Sequence, residues 1–211
     1  MPRRYIGFAL YVLVALFLVV SGIRPVDRFT WWLEVSWVIA GLAVVAMLWW
    51  RGVRFTWSLK VAMVVHAAVL IYGGWYTYEQ VPLGEWMKGA FGFTRNHYDR
   101  LGHLAQGLFP AVLARELLVR KRAVNGRPWL ELFIFCACLA FAAAFELLEY
   151  GAALAFGSAS DAYLGSQGDV WDAQHDMLCC AIGALATIAF WGPFHGRELA
   201  GLAPPATGTA G

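Results

Sequence analysis

The chain has 211 residues, of which 60% are hydrophobic, 16% aromatic and only 14% charged, with a formal net charge of +2. A soluble domain carries about a quarter charged residues, so this composition excludes an ordinary soluble protein and indicates a multi-pass membrane protein. The chain has no basic face outside short loops, which argues against nucleic-acid binding.

Six apolar segments approach the length of about 20 residues that a membrane-spanning helix needs. They are predicted at about 5–23, 31–50, 58–78, 98–119, 128–150 and 172–193. Trp and Tyr side chains collect at their ends, as they do at the level of lipid headgroups. We therefore expect an all-α bundle of six transmembrane helices forming one domain over residues 1–199. A disordered tail over residues 200–211 should follow it.

The distribution of basic residues predicts the orientation of this bundle. Of the 16 Lys and Arg residues, ten fall at one set of helix ends and four at the other, with Arg100 and Arg115 set aside inside the fourth segment. The positive-inside rule then places both termini in the cytoplasm and loops 24–30, 79–97 and 151–170 outside. The four cysteines lie in apolar runs, so we interpret them as small core residues rather than as disulfide partners.

Ionisable residues interrupt the last three segments, and in each case they lie at the predicted outer end. Because residues three or four apart share a helix face, each group should present its side chains together. The fourth segment begins with Asp99, Arg100 and His103, followed by Gln106; the fifth ends with Glu146 and Glu149; the sixth begins after Gln167 with Asp169, Asp172, His175 and Asp176.

So many charges at one face of the bilayer need compensation by shared protons, by Arg100 or by a cation. Oxygen ligands with one or two histidines suit Zn²⁺, Mn²⁺, Mg²⁺ or Ca²⁺. We predict a divalent metal held by ligands from Asp99, His103, Asp172, His175 and Asp176. Glu149 and Glu146 are the candidate catalytic carboxylates. Gln106, Gln167 or Gln174 is expected to orient the ligands, and Asp169 to cap the sixth helix.

Simpler interpretations remain open for each group. Asp99 and His103 alone suit a helix cap with a hydrogen-bonded histidine, and Glu146 and Glu149 suit a helix end anchored in water. Glu34 and Glu116 are expected to face polar groups of loops or of the bundle, and His66 to be a packing histidine.

Three blocks of sequence resemble the YjdF-like bacterial inner-membrane proteins: YDRLGH at 98–103, ELLE at 146–149 and QGDVWDAQHDM at 167–177. The resemblance covers nearly the whole chain and implies a six-helix protein of the bacterial inner membrane with no settled activity. A more distant similarity, carried by Asp and His four apart and by later Glu and Asp, is to the VanZ-like proteins, which are linked to glycopeptide-antibiotic tolerance.

Three functions fit these observations. The first is a metal-dependent hydrolase or transferase acting on a membrane lipid or a lipid-linked headgroup at the outer leaflet. The second is a small proton- or cation-coupled carrier, for which a homodimer is the natural arrangement. The third is a structural or accessory protein in which the polar cluster only fastens helices together.

Overall fold

The computed structural model describes residues 3–202, which form helices and turns and contain no strand. Residues 203–211, most of the predicted tail, lie outside the described part. The α-helices are α1 (Arg3–Ile23), α2 (Arg28–Trp50), α3 (Trp57–Trp75), α4 (Pro82–Phe91), α5 (Tyr98–Arg120), α6 (Arg127–Phe156), α7 (Asp161–Leu164), α8 (Asp172–Ala186) and α9 (Gly192–Leu202). A π-helical turn over Thr187–Trp191 joins α8 to α9 without a break.

Five helical stretches are long and apolar enough to cross a membrane: Ile6–Ile23, Arg28–Trp50, Trp57–Trp75, Arg127–Leu164 and Asp172–Leu202. The sixth long helix, α5, has 23 residues but a more polar composition. It packs against α3, α6 and α8. A helix enclosed by others needs little lipid-facing surface, so its polarity is consistent with its position. The all-helical membrane fold is therefore confirmed, whereas the sixth crossing and the orientation of the termini stay predictions.

The structure differs from the predicted loops in two places. Residues 79–97 contain α4, which begins at Pro82 and ends where Gly92 takes a left-handed conformation (φ 69°). Helix α6, which corresponds to the fifth predicted segment, continues past Gly151 to Phe156 and stops at Gly157 (φ 56°). Part of the predicted loop 151–170 is therefore helical. A glycine can adopt helical backbone angles, and it ends a helix mainly where its φ is positive. Gly157 has a positive φ and Gly151 does not, so α6 ends at the later glycine.

The last helix also extends further than predicted. The sequence pattern predicts that the sixth segment ends at Pro193, but this residue is the second of α9. Pro193 lies in the first turn of α9, but because α9 continues the π-helical turn without a break, proline at this position removes one backbone hydrogen bond to the preceding turn. The preceding π-helical turn, whose Thr187 donates its hydroxyl to the carbonyl of Leu108 at 2.7 Å, leads directly into this first turn. One continuous helical rod therefore runs from Asp172 to Leu202.

Glycines bring α5 and α8 into backbone contact. A Cβ atom on Gly107 would lie 1.9 Å from the carbonyl oxygen of Cys180, and one on Gly183 would lie 2.2 Å from that of Leu104. Small residues at such crossings let membrane helices approach closely, where packing supplies the stability. This contact fixes the position of the first turns of α5 relative to those of α8.

The cysteines are free and only half of them are core residues. Cys138 and Cys180 are buried beside Ala111, Ile134, Ala142 and Ala184, as expected for small apolar residues. Cys136 is exposed on the bundle surface and Cys179 is half-buried. The apolar segments predicted where the helices lie, but they did not predict which face of each helix points into the bundle, and so which cysteines are buried.

Candidate functional site

Ionisable side chains of α5 and α8 meet in the interior of the bundle. Asp99, His103 and Asp176 each offer one ligand atom, and these three atoms lie within 4.8 Å of one another. All three residues are buried. Glu146 on α6 joins them, with its Oε1 atom 3.5 Å from Nε2 of His103. The Oδ1 atom of Asp99 lies 3.7 Å from the same nitrogen. We call Asp99, His103, Asp176 and Glu146 the acidic site.

A small cavity adjoins the acidic site and reaches across to α2. Its walls include Asp99 and His103, together with Glu34, Leu70, Tyr78, Gly102, Gln106 and Phe145. The Tyr78 ring fits here because Gly73 and Gly102 have no side chains; a Cβ on Gly73 would lie 2.3 Å from that ring. Tyr78 itself has a positive φ of 55°, which is uncommon for a residue other than glycine. The backbone thus holds an aromatic ring in a strained position over the cavity.

Several polar atoms around this cavity are buried without hydrogen-bond partners. They are Nδ1 of His103, Oδ1 of Asp176, Oε1 of Glu146, Oε1 of Gln106 and Oε2 of Glu34. Leaving a buried polar atom unpaired costs about 1–3 kcal/mol, and more for a charged group. Five such atoms, three on residues that line the cavity and two on Asp176 and Glu146 of the acidic site, are therefore the feature that most needs a chemical explanation.

A second cluster of charges lies beside the acidic site, at the start of α8. The Nη1 atom of Arg95 donates to Oδ1 of Asp172 at 2.7 Å, and its Nη2 atom donates to the carbonyl of Gly165 at 3.1 Å. Arg100 pairs with Asp169, and Oδ2 of Asp169 lies 3.0 Å from Nδ1 of His175. We call Arg95, Arg100, Asp169, Asp172 and His175 the arginine cluster.

The two clusters share a border at Arg100. Its Nε atom lies 4.0 Å from Oδ1 of Asp176, while its Nη2 atom lies 3.7 Å from Oδ1 of Asp172. The Nε atoms of both Arg95 and Arg100 are buried without hydrogen-bond partners. The acidic site thus has two guanidinium groups at its edge, each with a donor that is not satisfied.

The loops before α5 and α8 are tied together by amide hydrogen bonds. The Oε1 atom of Gln167 accepts from the backbone N–H of Asn96 at 3.0 Å, and its Nε2 atom donates to the carbonyl of Asn96 at 2.9 Å. The fully buried Asn96 side chain in turn donates to the carbonyl of Val81. Gly165 (φ 63°) passes so close to Asp99 that a Cβ there would meet its carboxylate at 3.2 Å. These loops therefore cover the acidic site.

Asp169 is held in its ionised form by the groups around it. Its carboxylate accepts a hydrogen bond from the backbone N–H of Trp171 and contacts Arg100 and His175, and these interactions lower its pKa to about 2. A carboxylate whose pKa falls on folding stabilises the protein at every pH above its unfolded value of about 3.9. That contribution disappears as the pH falls from about 4 to about 2.

We expect Asp169→Asn to lower the thermal unfolding midpoint at neutral pH, with a difference from wild type that shrinks as the pH falls below about 4. The measurement is the midpoint of both proteins in detergent between about pH 6 and pH 2.5. Subtracting one curve from the other removes the titration of carboxylates common to both. A difference that stays constant over this whole range would show that ionised Asp169 adds no stability.

The structure divides the predicted site residues into two groups. Asp99, His103, Asp176 and Glu146 come together, and Gln106 lies at their cavity. Glu149 is buried one turn after Glu146 on α6. The other predicted residues lie outside the acidic site: Asp172, His175, Asp169 and Arg100 form the arginine cluster, and Gln167 bonds backbone groups.

Two residues beside the acidic site were not among the predicted site residues. Glu34 lies in an apolar run on α2, yet it is buried at the cavity. Gly74 on α3 makes room for it, because a Cβ atom on Gly74 would lie only 2.9 Å from the Cβ atom of Glu34. Arg95 precedes α5 in what the pattern predicts as a loop. A lone carboxylate in a spanning helix is itself a functional signal, and it is the one that could have identified Glu34.

A further buried polar cluster lies at the opposite end of the bundle. Oε2 of Glu116 accepts from the hydroxyl of Thr56 at 2.5 Å, and Nε2 of His195 lies 3.1 Å from the same oxygen. Arg120 contacts the other oxygen of Glu116 at 2.6 Å. Thr56 also caps α3. This cluster joins α3, α5 and α9, and His195 had no part in the predicted site.

Comparison of the whole sequence with known proteins identifies the family of the chain. A family model described as "Predicted membrane protein (DUF2238)" matches residues 6–197. The chain belongs to this family. It is similar to the inner membrane protein YjdF of Escherichia coli (strain K12), with 44% identity over 188 residues that cover 88% of each chain. No solved structure shows significant similarity to it.

Membership of the DUF2238 family confirms the resemblance seen in the three sequence blocks. It also confirms the cellular location, because the relative is an inner membrane protein and the chain carries five stretches able to span a membrane. The protein is a multi-pass protein of the inner membrane. The family description names no reaction, so the function is argued from the site.

Proposed function

We propose that this DUF2238 protein binds a divalent metal ion at the acidic site and uses it to hydrolyse or transfer a lipid-linked headgroup. The observation that carries the proposal is that ligand atoms of Asp99, His103 and Asp176, from two different helices, lie within 4.8 Å of one another in the bundle interior. Carboxylate oxygens with one imidazole nitrogen are a donor set suited to Zn²⁺ or Mn²⁺, and to Mg²⁺ or Ca²⁺ if further oxygens join.

A cation also explains the unpartnered atoms. Oδ1 of Asp176 and Oε1 of Glu146 are buried acceptors that no donor satisfies. Asp99 and Glu146 each place a carboxylate oxygen within 3.7 Å of Nε2 of His103, and the Nε atom of Arg100 is 4.0 Å from Oδ1 of Asp176. Anions buried together are stable only when they are protonated or neutralised by a cation. A divalent ion between Asp99, His103 and Asp176 would neutralise them.

Gln106 is placed to orient the histidine. It lies one turn after His103 on α5, and both Oε1 of Gln106 and Nδ1 of His103 are buried without partners. A ligating histidine usually donates its second ring N–H to an oxygen, and losing that oxygen weakens metal binding about 10–100-fold. We assign this role to Gln106, with Nε2 of His103 facing the ion.

The remaining groups have roles in the chemistry. A bound divalent ion lowers the pKa of its water and polarises a phosphoryl or carbonyl oxygen. Glu149, buried one turn after Glu146, is the candidate general base. Arg95 and Arg100 each have a buried Nε donor without a partner, and guanidinium groups of this kind suit an anionic group such as a headgroup phosphate.

The metal content of purified protein tests this proposal. We expect about one equivalent of a divalent metal in the wild type after incubation with Zn²⁺, Mn²⁺, Mg²⁺ or Ca²⁺ and desalting, and a large loss in Asp176→Asn, because the site then lacks one of its anionic ligands. Glu131→Gln is the matched control, since it removes a carboxylate paired with Arg127 far along α6 from the site. A wild type that retains none of the four ions contradicts metal binding.

A proton- or cation-coupled carrier is the second candidate. The observation that favours it is the buried Glu116 and His195 pair at the opposite end of the bundle, together with His66, whose Nε2 atom is buried without a partner in α3. Ionisable groups at both ends are what a transport path requires. Proteoliposomes containing wild type or Asp176→Asn separate the two candidates, because only a carrier shows a proton or cation flux that the substitution abolishes.

A further inference from the structure

An apolar groove runs along the surface between α2 and α6. Aromatic pairs bound it: Phe29 packs on Phe156 at one end, with ring centroids 5.0 Å apart, and Trp37 packs on Phe141 and Phe145 at the other. Its volume is about 340 Å³. That value lies in the range of roughly 300–1,000 Å³ found for sites that bind small molecules.

The groove contains almost no polar surface that needs a partner. Its walls include Leu33 on α2 and Leu147 and Leu148 on α6, and both of these α6 leucines are exposed. The hydroxyl of Ser36 is satisfied by the carbonyl of Leu33 at 2.8 Å. Both helices belong to stretches long and apolar enough to span a membrane, and the outer surface of such a span faces lipid. A hydrocarbon chain therefore meets no desolvation cost on entering.

The inner wall of the groove is also a wall of the functional site. Tyr163 lines the groove and its ring centroid is 6.3 Å from that of Phe145. Phe145 in turn lines the cavity and packs edge-on against His103 at 5.9 Å. On α6 itself, Glu146 and Glu149 flank the groove residues Leu147 and Leu148. One layer of aromatic rings separates the groove from the acidic site.

We propose that the groove binds one acyl chain of a membrane lipid, whose headgroup then lies at the end of the bundle that holds the acidic site. The part of this inference that concerns the groove stands on its own geometry, whereas the position of the headgroup rests on the proposed function. The lipid would enter sideways from the bilayer between α2 and α6. The substrate class is accordingly a phospholipid or lipid-linked phosphate with at least one long alkyl chain.

Gly151 provides the test because it lines the groove and a Cβ there has no atom within 4 Å. Gly151→Leu should fill the groove without disturbing the fold. Gly41→Leu is the matched control: this glycine also lies in a helix with no atom within 4 Å of a Cβ, and it does not line the groove. Thermal unfolding of both variants checks that each is folded.

The measurement is native mass spectrometry of detergent-purified protein titrated with dioleoyl phosphatidylglycerol. We expect wild type and Gly41→Leu to hold one lipid with similar affinity, and Gly151→Leu to bind it at least about tenfold more weakly, the effect of displacing about two methylene groups. Equal affinity in all three proteins overturns the proposal. A dimer that Gly151→Leu dissociates, with lipid binding unchanged, also overturns it and identifies a second copy as the occupant.

Asp176→Asn separates the groove from the metal site in the same titration. It should lose the metal and keep the Gly151-dependent lipid binding, because the alkyl chain contacts no residue of the acidic site. If the wild type binds lipid in this way but never binds metal, the groove is supported and the proposed function fails. If the wild type binds metal but Gly151→Leu has normal lipid affinity, the metal site is supported and the groove proposal fails.

Discussion

We expect Gly183→Ala to lower the free energy of unfolding by about 3 kcal/mol, equivalent to a fall of about 6–12 °C in the thermal midpoint. The added methyl carbon would lie 2.2 Å from the carbonyl oxygen of Leu104 and 2.8 Å from the backbone nitrogen of Leu108. Backbone atoms inside a helix cannot rotate away as a side chain can. The helices α5 and α8 must therefore move apart along their whole contact.

Gly41→Ala is the control for this substitution. It adds the same methyl group to a helix, but no atom lies within 4 Å of the new carbon. Replacing glycine by alanine in an exposed helix stabilises it by about 0.5–1 kcal/mol, so the two variants should shift the midpoint in opposite directions. A Gly183→Ala variant as stable as wild type would mean that α5 and α8 are not in backbone contact.

We expect Arg95→Ala to destabilise the protein by about 3 kcal/mol, because it leaves a mostly buried carboxylate without its partner. The Arg95 and Asp172 side chains are only 9% and 12% exposed, and their closest atoms are 2.7 Å apart. Arg95→Lys should rescue little, since one ammonium group cannot reach both Asp172 and the carbonyl of Gly165 as the guanidinium does. Thermal or denaturant unfolding in detergent measures both effects.

Arg127→Ala provides the matched comparison for the arginine cluster. Arg127 pairs with Glu131 at a similar distance, 2.6 Å, but its side chain is 76% exposed. An exposed helical ion pair contributes only about 0.3–0.5 kcal/mol. The double variant Arg95→Ala/Asp172→Asn should recover part of the loss by removing the unpaired charge. If Arg95→Ala and Arg127→Ala cost the same, the arginine cluster is solvated and does not fasten the loops over the site.

The sequence predicted the helices well because the bilayer imposes a simple rule on length and polarity. Hydropathy identified every long helix, and the cluster of polar residues at one end of α5, α6 and α8 followed from chain direction alone. The sequence could not say which of the acidic residues would share the cavity. Asp172 and Asp176 lie one turn apart on α8, yet one pairs with Arg95 and the other faces His103 and Asp99.

That division depends on features with no periodic signal. Arg95 reaches Asp172 only because Gly165 and the Gln167–Asn96 hydrogen bonds hold two loops together. Glu34 reaches the cavity only because Gly74 lets α2 approach α3. Contacts between distant parts of a chain depend on the local shape of the backbone, and a pattern of apolar residues describes only which faces are buried.

The length of α6 sets a relation between this protein and the thickness of its membrane. At about 1.5 Å per residue, its 30 residues extend roughly 45 Å, well beyond the roughly 30 Å of hydrocarbon in a bilayer. Such a helix must tilt or project past the acyl chains. Glu149 stands seven residues before its last residue, Phe156, and so lies about 10 Å from that tip. The depth of the carboxylates is thereby coupled to lipid chain length, and a thinner bilayer would raise them toward water.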